Sequence, residues 1–196
     1  MAKPIKTSAE QWVRCAKLAL MNEGISGVKI DRLAKSLDVT RGGFYHHFQN
    51  RAQLLDELLK LWSAENIFVP HVPPPYTAPE AHHYLDRLIE YLIDEEMFSP
   101  DFDLAVRAWA RTDARAKLAV DEVDARRLSA LTKIFAALDY SNEEATTRAR
   151  VFYFHQIGSY VMGHHHIQSK PQRHKEAHMY LHILGGDQLS ASLKER

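Results

Sequence analysis

The stretch LDVTRGGFYHHFQNRAQLL, Leu37 to Leu55, decides the fold of this chain. It places two glycines, two histidines and three aromatic rings between Gly42 and Phe48, too few residues for a domain and too aromatic for an ordinary surface loop. Phe44 and Phe48 are four residues apart, so on a helix they share one face. We therefore expect a short helix whose aromatic face packs against its neighbours.

The residues before this stretch predict a helix-turn-helix unit. Ile30, Leu33, Ala34 and Leu37 recur at the spacing of one helical face, which indicates a short second helix. After a three-residue connection, Thr40 is placed to cap a third helix of about residues 41 to 47. Two short amphipathic helices joined by so tight a turn are typical of the helix-turn-helix.

Helices are predicted on both sides of this unit. Thr7-Ser8-Ala9-Glu10 has the form of a capping box, in which Thr7 caps a first helix and Glu10 reaches back to it. Gly24 ends that helix, and a leucine-rich fourth helix begins at Asn50. The rest of the chain has further apolar stripes at helical spacing and no strand-like alternation, so the predicted fold class is all-α.

Composition and charge narrow the class of protein. Among 196 residues, 45% are hydrophobic and 26% are charged, which is typical of a globular protein. A single cysteine cannot form an internal disulfide, and no apolar run approaches the roughly 20 residues that span a bilayer. With no secretion signal at the N-terminus, we expect a cytoplasmic protein without a membrane partner.

The two ends of the chain differ in charge. Residues 1–60 contain 10 Lys and Arg against 6 Asp and Glu, whereas residues 61–196 contain 15 against 19. The basic end is the one that carries the predicted helix-turn-helix. Positive charge is what phosphate binding requires.

These features resemble the tetracycline-repressor-like (TetR) family of bacterial transcription regulators. The likeness rests on the Gly24 helix stop, the spacing Ile30-x-x-Leu33-Ala34, the turn Val39-Thr40-Arg41-Gly42, and above all Phe44-Tyr45-His46-His47-Phe48 followed by Asn50-Arg51. It covers about the first quarter of the chain. The remainder resembles the family only as an all-helical domain of suitable length.

The resemblance implies that the third helix enters the DNA major groove, where Arg41 can read a guanine edge or reach a phosphate. Tyr45 and His47 match residues that touch the DNA backbone in the family. Arg51 matches its usual phosphate-binding cation. The DNA-binding residues implied are Lys29, Thr40, Arg41, Gly42, Gly43, Tyr45, His46, His47 and Arg51.

Two of these positions depart from the family pattern. Gly43 stands where many relatives carry a side chain that touches a base, so specificity must come partly from elsewhere. Lys29 stands where Thr or Ser commonly caps the second helix; it cannot cap, and we expect it to bind phosphate instead.

A helix near the C-terminus predicts a dimer. RVFYFHQIGSYVMG, residues 150–163, is apolar or aromatic around nearly its whole circumference, so it must be covered on both sides. Its own domain covers one side. A second subunit would cover the other, with a final helix of about residues 171–184 completing a four-helix interface. Burial within a single subunit stays open as an alternative.

The interpretation is therefore a homodimeric, ligand-responsive transcription regulator, with a repressor favoured over an activator. Residues 1–51 would bind double-stranded palindromic operator DNA, and residues 52–196 would form the ligand-binding and dimerisation domain. A small molecule would release the DNA by favouring a dimer whose reading heads no longer match the operator. The candidate pocket residues, for which ordinary core packing is the alternative, are Trp62, Tyr91, Trp109, Phe152 and His155.

The sequence leaves two alternative functions, a metal-dependent enzyme and a helical interaction protein. A metal-dependent enzyme is suggested by His174, His178 and His182, which recur at intervals of four, but the acid of HKEAH does not fit the HExxH protease motif. We therefore expect no metal, no cofactor and no enzymatic activity. A helical interaction protein that has lost DNA binding is disfavoured because Arg41, Tyr45 and the other matching residues are intact.

Overall fold

The computed structural model describes residues 7–70, 77–95 and 97–194, with the side chains of residues 178 and 185–194 outside that description. Within it the chain forms α-helices and no β-strand, which confirms the predicted all-α fold. The helices are α1 Ala9–Glu23, α2 Ile30–Ser36, α3 Arg41–Tyr45, α4 Arg51–Glu65, α5 Ala78–Asp94, α6 Pro100–Ala110, α7 Ala114–Ala136, α8 Asn142–Val161, α9 His164–Ile167 and α10 Lys170–Lys194.

The chain divides into two compact units. The first comprises Met1–Asn66 and Asp101–Asp121, and the second comprises Ile67–Pro100 and Glu122–Arg196. The first unit extends past residue 51, the boundary predicted for the helix-turn-helix domain, because α4 packs against α1 and is tied to α6. The tie is the buried carboxylate of Asp103, which accepts hydrogen bonds from Trp62 Nε1 (3.2 Å) and Asn66 Nδ2 (3.1 Å).

The first helix begins one residue later than its capping box predicted. Ser8, not Thr7, is the N-cap: the Gln11 amide donates to Ser8 Oγ (3.2 Å), and Gln11 Oε1 accepts from the Ser8 amide (2.8 Å). The predicted box was wrong because Gln11 serves at the third helical position as well as Glu10 would have done. Gly24 ends the helix as predicted, with φ of 69°.

An aromatic cluster forms the core beneath α3. Phe44 is fully buried and meets Trp12 edge-on at 5.3 Å between ring centroids, while Phe48 stacks on Phe44 at 5.2 Å. The helix ends at Tyr45, earlier than predicted, and a turn carries Phe48 into the core with its amide donating to the Phe44 carbonyl (3.0 Å). Together with α2, which packs against both α1 and α3, this cluster makes the predicted helix-turn-helix.

The second unit is built around α5, α8 and α10, with α10 packed against both other helices. Its interior contains a buried cation: the Arg127 guanidinium lies 5.6 Å from the Phe68 ring centroid and 5.4 Å from that of Phe98. Arg127 Nη1 donates to the Tyr153 hydroxyl (3.1 Å), which donates to Asp124 Oδ1 (2.6 Å). This polar chain lets a charge lie among aromatic rings.

None of the helices in the described part of the chain combines the length and apolar character that a membrane crossing needs.

The aromatic cluster predicts a contrast between adjacent residues. Phe44→Ala removes a fully buried ring and should lower the free energy of unfolding by about 3–5 kcal/mol. Tyr45→Ala, a matched control at an exposed position, should change it by about 0.5 kcal/mol or less. Urea denaturation of both variants measures the difference, and equal losses would contradict the packing described for α3.

Candidate nucleic-acid interface

The two faces of α3 are chemically distinct. Phe44 lies in the core, whereas Arg41 and Tyr45, one helical turn apart, project from the outer face. The Arg41 side chain is 60% exposed and Tyr45 is 50% exposed. Just after the helix, His46 is exposed and His47 is half-buried. The outer face therefore offers a cation, a phenol and an imidazole to a partner.

The Arg41 guanidinium is held by two neighbours. Nη2 donates to the Tyr45 hydroxyl (3.3 Å), and Nε lies 3.6 Å from Asp31 Oδ1 on α2. The hydrogen bond to Tyr45 and the nearby Asp31 carboxylate both raise the pKa of Arg41, so it stays charged. Sequence reasoning did not select Asp31, because no local pattern indicates a contact between residues on two different helices.

The glycine pair at the start of α3 is not demanded by the fold. A Cβ added to Gly42 would lie 3.6 Å from Thr40 Oγ1, and one added to Gly43 would lie 3.9 Å from Val39, both ordinary contacts. Neither glycine has a positive φ. Since each glycine costs roughly 1 kcal/mol relative to alanine inside a helix, the chain carries a cost here that its own packing does not explain.

The residues that precede the two short helices cap them only through the backbone. Lys29 is the N-cap of α2 and makes no side-chain cap hydrogen bond, as its chemistry predicted. Thr40 is the N-cap of α3 and makes none either, contrary to the expected role of its hydroxyl. Both residues are exposed, so their side chains are accessible to a partner.

Arg51 has a structural role that the sequence did not indicate. Its Nε donates to the Val28 carbonyl (2.6 Å) and its Nη2 to the Ile25 carbonyl (2.9 Å). The side chain is half-buried and joins the start of α4 to the loop between α1 and α2. Phosphate binding by Arg51 stays a prediction, and these two bonds give the residue a second use.

The five candidate pocket residues are divided between the units. Trp62 and Trp109 are buried in the first unit, and Trp109 also lines a groove of about 670 Å³ beside the end of α1. Phe152 is buried in the second unit, where the Tyr91 hydroxyl donates to the Ile67 carbonyl (3.0 Å). His155 is half-buried against the Tyr180 ring, 4.1 Å away between centroids. Burial, followed by the proximity of His164, lowers the pKa of His155.

The three candidate metal-ligating histidines, His174, His178 and His182, lie on α10, which corresponds to the predicted final helix. Of these, the side chain of His178 falls outside the described residues. The described side chains of His174 and His182 are half-buried and exposed, respectively.

The N-terminal helices are similar in sequence to known proteins. The family model described as bacterial regulatory proteins of the tetR family matches residues 16–58. The Transposon Tn10 TetC protein of Escherichia coli is 36% identical over 55 residues, a match that spans 28% of this chain and 28% of that protein.

Solved structures share the fold over nearly the whole chain. A transcriptional regulator from Rhodococcus sp. Rha1 has a TM-score of 0.68 at 16% identity, with 91% of this chain and 96% of that chain covered. BioQ, crystallised with its natural double-stranded DNA operator, has a TM-score of 0.51 at 21% identity, with 91% and 98% covered. Over residues 16–58, which contain the helix-turn-helix, the chain matches the tetR family of bacterial regulatory proteins.

Proposed function

We propose that this protein is a transcription regulator that binds operator DNA in the cytoplasm, and that it acts by binding rather than by catalysis. The observation that carries the proposal is the orientation of α3: burial of Phe44 leaves Arg41 and Tyr45 on the accessible face. Arg41 has the donor geometry to pair with a guanine edge, and BioQ, which shares the fold, is known with its DNA operator.

The residues around α3 supply the remaining contacts of the proposed interface. Tyr45 and His46 are exposed, His47 is half-buried, and Lys29 is an exposed cation at the start of α2. These side chains would contact the DNA backbone, which gives affinity and register but little sequence selectivity. Base reading would then depend chiefly on Arg41.

Selection of bound fragments from a random pool of duplex DNA tests the proposal directly. We expect recovery of a palindromic site with half-sites spaced by about one helical turn, roughly 34 Å, or a multiple of it. A gel shift with the recovered site and a scrambled site of the same composition gives the selectivity. Retention of both fragments with equal affinity would contradict sequence-specific regulation.

We further propose that the protein is a homodimer joined through α8 and α10. Phe152, Tyr153 and Tyr160 of α8 are buried in their own unit, while the other side of the helix stays exposed and apolar. On α10 three further large residues are exposed, and Tyr180 lies against His155 of α8, so the two apolar faces adjoin. The exposed residues are Val151, Phe154 and Val161 on α8, Met162 at its C-cap, and Met179, Tyr180 and Ile183 on α10.

The twofold symmetry of the proposed dimer would match the symmetry of a palindromic DNA site. Two copies related by a twofold axis would present two α3 helices to the two halves of a palindrome. We propose that a small molecule bound in the C-terminal domain changes the spacing between the two α3 helices of the dimer and so releases the DNA, as expected of a repressor. Of the candidate pocket residues, Tyr91, Phe152 and His155 belong to the second unit, and they are the ones we propose to meet such an effector.

Adding a methyl group to the glycine pair should separate folding from DNA binding. Gly42→Ala and Gly43→Ala should each raise the free energy of unfolding by up to about 1 kcal/mol, because the fold has room for the Cβ. If the bare backbone is needed for close approach to DNA, operator affinity should fall by about fivefold or more, the effect of about 1 kcal/mol. Stabilised variants that bind the operator as tightly as the wild type would contradict close approach at these positions.

Arg51 should reveal whether its side chain contacts phosphate in addition to the two carbonyls. Arg51→Ala removes two hydrogen bonds from a charged donor and should lower the free energy of unfolding by about 2–3 kcal/mol. A phosphate contact predicts in addition that the slope of log K against log salt falls by about one unit for all sequences.

Arg51→Lys serves as the control for charge. Lysine keeps the cation but cannot donate to both carbonyls with the geometry of a guanidinium. We expect it to lose stability while it retains the wild-type salt slope. An unchanged slope in Arg51→Ala would remove the residue from the phosphate contacts and leave only its structural role.

The proposed dimer interface predicts that a charge introduced on the exposed apolar face of α8 weakens dimerisation. Phe154 is 60% exposed on α8, so Phe154→Asp should fold normally yet weaken dimerisation by at least about tenfold, equivalent to 1.4 kcal/mol. Leu118→Asp is the matched control, since Leu118 is 69% exposed on the part of α7 within the first unit. Sedimentation at micromolar concentration should show a dimer for the wild type and the control; a monomeric wild type would refute the interface.

A further inference from the structure

The contact between Asp31 and Arg41 has no role in the fold that accounts for it. The two side chains are 73% and 60% exposed, with Arg41 Nε 3.6 Å from Asp31 Oδ1. Exposed ion pairs of this kind add little to stability. A carboxylate also opposes the approach of phosphates. An acid on a surface proposed to meet DNA therefore needs another reason.

The geometry of the guanidinium supplies one. The Asp31 carboxylate forms an ion pair with Nε of Arg41 (3.6 Å), and the Tyr45 hydroxyl accepts a hydrogen bond from Nη2 (3.3 Å), so the guanidinium is restrained at two of its three nitrogens. Nη1 has no hydrogen-bond or ion-pair partner among the described residues. Nη1 and the N–H of Nη2 that Tyr45 does not use are therefore available to a partner.

A pair of guanidinium N–H groups is what arginine uses to read guanine. Bidentate bonds to guanine O6 and N7 need a fixed plane, whereas a phosphate accepts an arginine in many orientations. Free rotation of the side chain would favour the phosphates, which lie at every nucleotide. Restraint by Asp31 and Tyr45 would limit that rotation and lower the gain from an alternative phosphate contact, because Asp31 already offsets part of the positive charge.

We propose that Asp31 is a positioning residue, which together with Tyr45 holds Arg41 so that it reads a base edge rather than a phosphate. This inference rests on the proposed DNA-binding function. It deepens that function by assigning sequence selectivity to a residue that would not itself touch DNA. The acid also lies in the first turn of α2, where a negative charge favours the helix dipole; that role alone predicts no effect on base selectivity.

The test compares Asp31→Asn with the wild type on two duplexes: the site recovered by selection and a variant with its guanines in the contacted half-site replaced. We expect Asp31→Asn to bind the replaced duplex more tightly than the wild type does and to have a steeper salt slope, since Arg41 gains a phosphate. The ratio of the two affinities should fall by about fivefold or more, the discrimination of one modest base contact.

Two further variants show whether the effect passes through Arg41. In an Arg41→Ala background, Asp31→Asn should leave the affinity ratio unchanged, because residues that act through one another are not additive. Asp56→Asn is the matched control: Asp56 is 49% exposed and pairs with Arg115 at 3.2 Å in the same unit. It loses the same charge and should retain the wild-type ratio.

Several outcomes would overturn the inference. An unchanged ratio in Asp31→Asn, or tighter binding of both duplexes by the same factor, would leave Asp31 as a source of general repulsion. A fall in the ratio that persists in the Arg41→Ala background would show that Asp31 acts by another route. Failure of the wild type to discriminate any duplex would instead contradict the proposed function itself, and the inference with it.

Discussion

The packing of Phe44 against Trp12 is the contact on which the arrangement of the N-terminal helices depends. A helix of five residues cannot be stable alone, so α3 exists because its aromatic face is buried against α1 and against Phe48. Once that face is buried, helical geometry sends Arg41 and Tyr45 to the opposite side. Core packing and the composition of the outer surface are thus two results of one constraint.

The outer surface of α3 is sparse because two of its five positions are glycine. With no side chains at Gly42 and Gly43, Arg41 and Tyr45 are the large groups left on the helix, and their mutual contact becomes more important than it would be among other side chains. An arginine on a bare helix can rotate freely, and the contacts that restrain Arg41 are those with Tyr45 on the same helix and with Asp31 on α2. In the proposed interface, α2 would therefore affect recognition through Asp31.

In α8, as in α3, burial of one face of the helix determines which side chains the opposite face exposes. The buried side, with Tyr153 in the polar chain from Arg127 to Asp124, belongs to the interior of the second unit. The exposed apolar side adjoins that of α10. Large exposed apolar surfaces are uncommon on proteins that act alone, which is why the proposed interface follows from the part of the helix that its own unit leaves uncovered.

Local patterns in the sequence determined the helices and the faces that they bury. The spacing of Phe44 and Phe48, the stop at Gly24 and the start of the fourth helix near Asn50 all depend on residues within one or two turns, so their consequences could be predicted without coordinates. It was harder to predict which of two neighbouring residues caps a helix, since Ser8 and Thr7 have similar chemistry and only the backbone path distinguishes them.

Tertiary structure alone decided the contacts between residues that are distant in the sequence. These are the contacts of Asp31 with Arg41, of Arg51 with the Ile25 and Val28 carbonyls, and of Asp103 with Trp62. For the same reason the division of the candidate pocket residues between two units was decided by tertiary structure: an apolar or aromatic side chain has the same local pattern whichever core it enters.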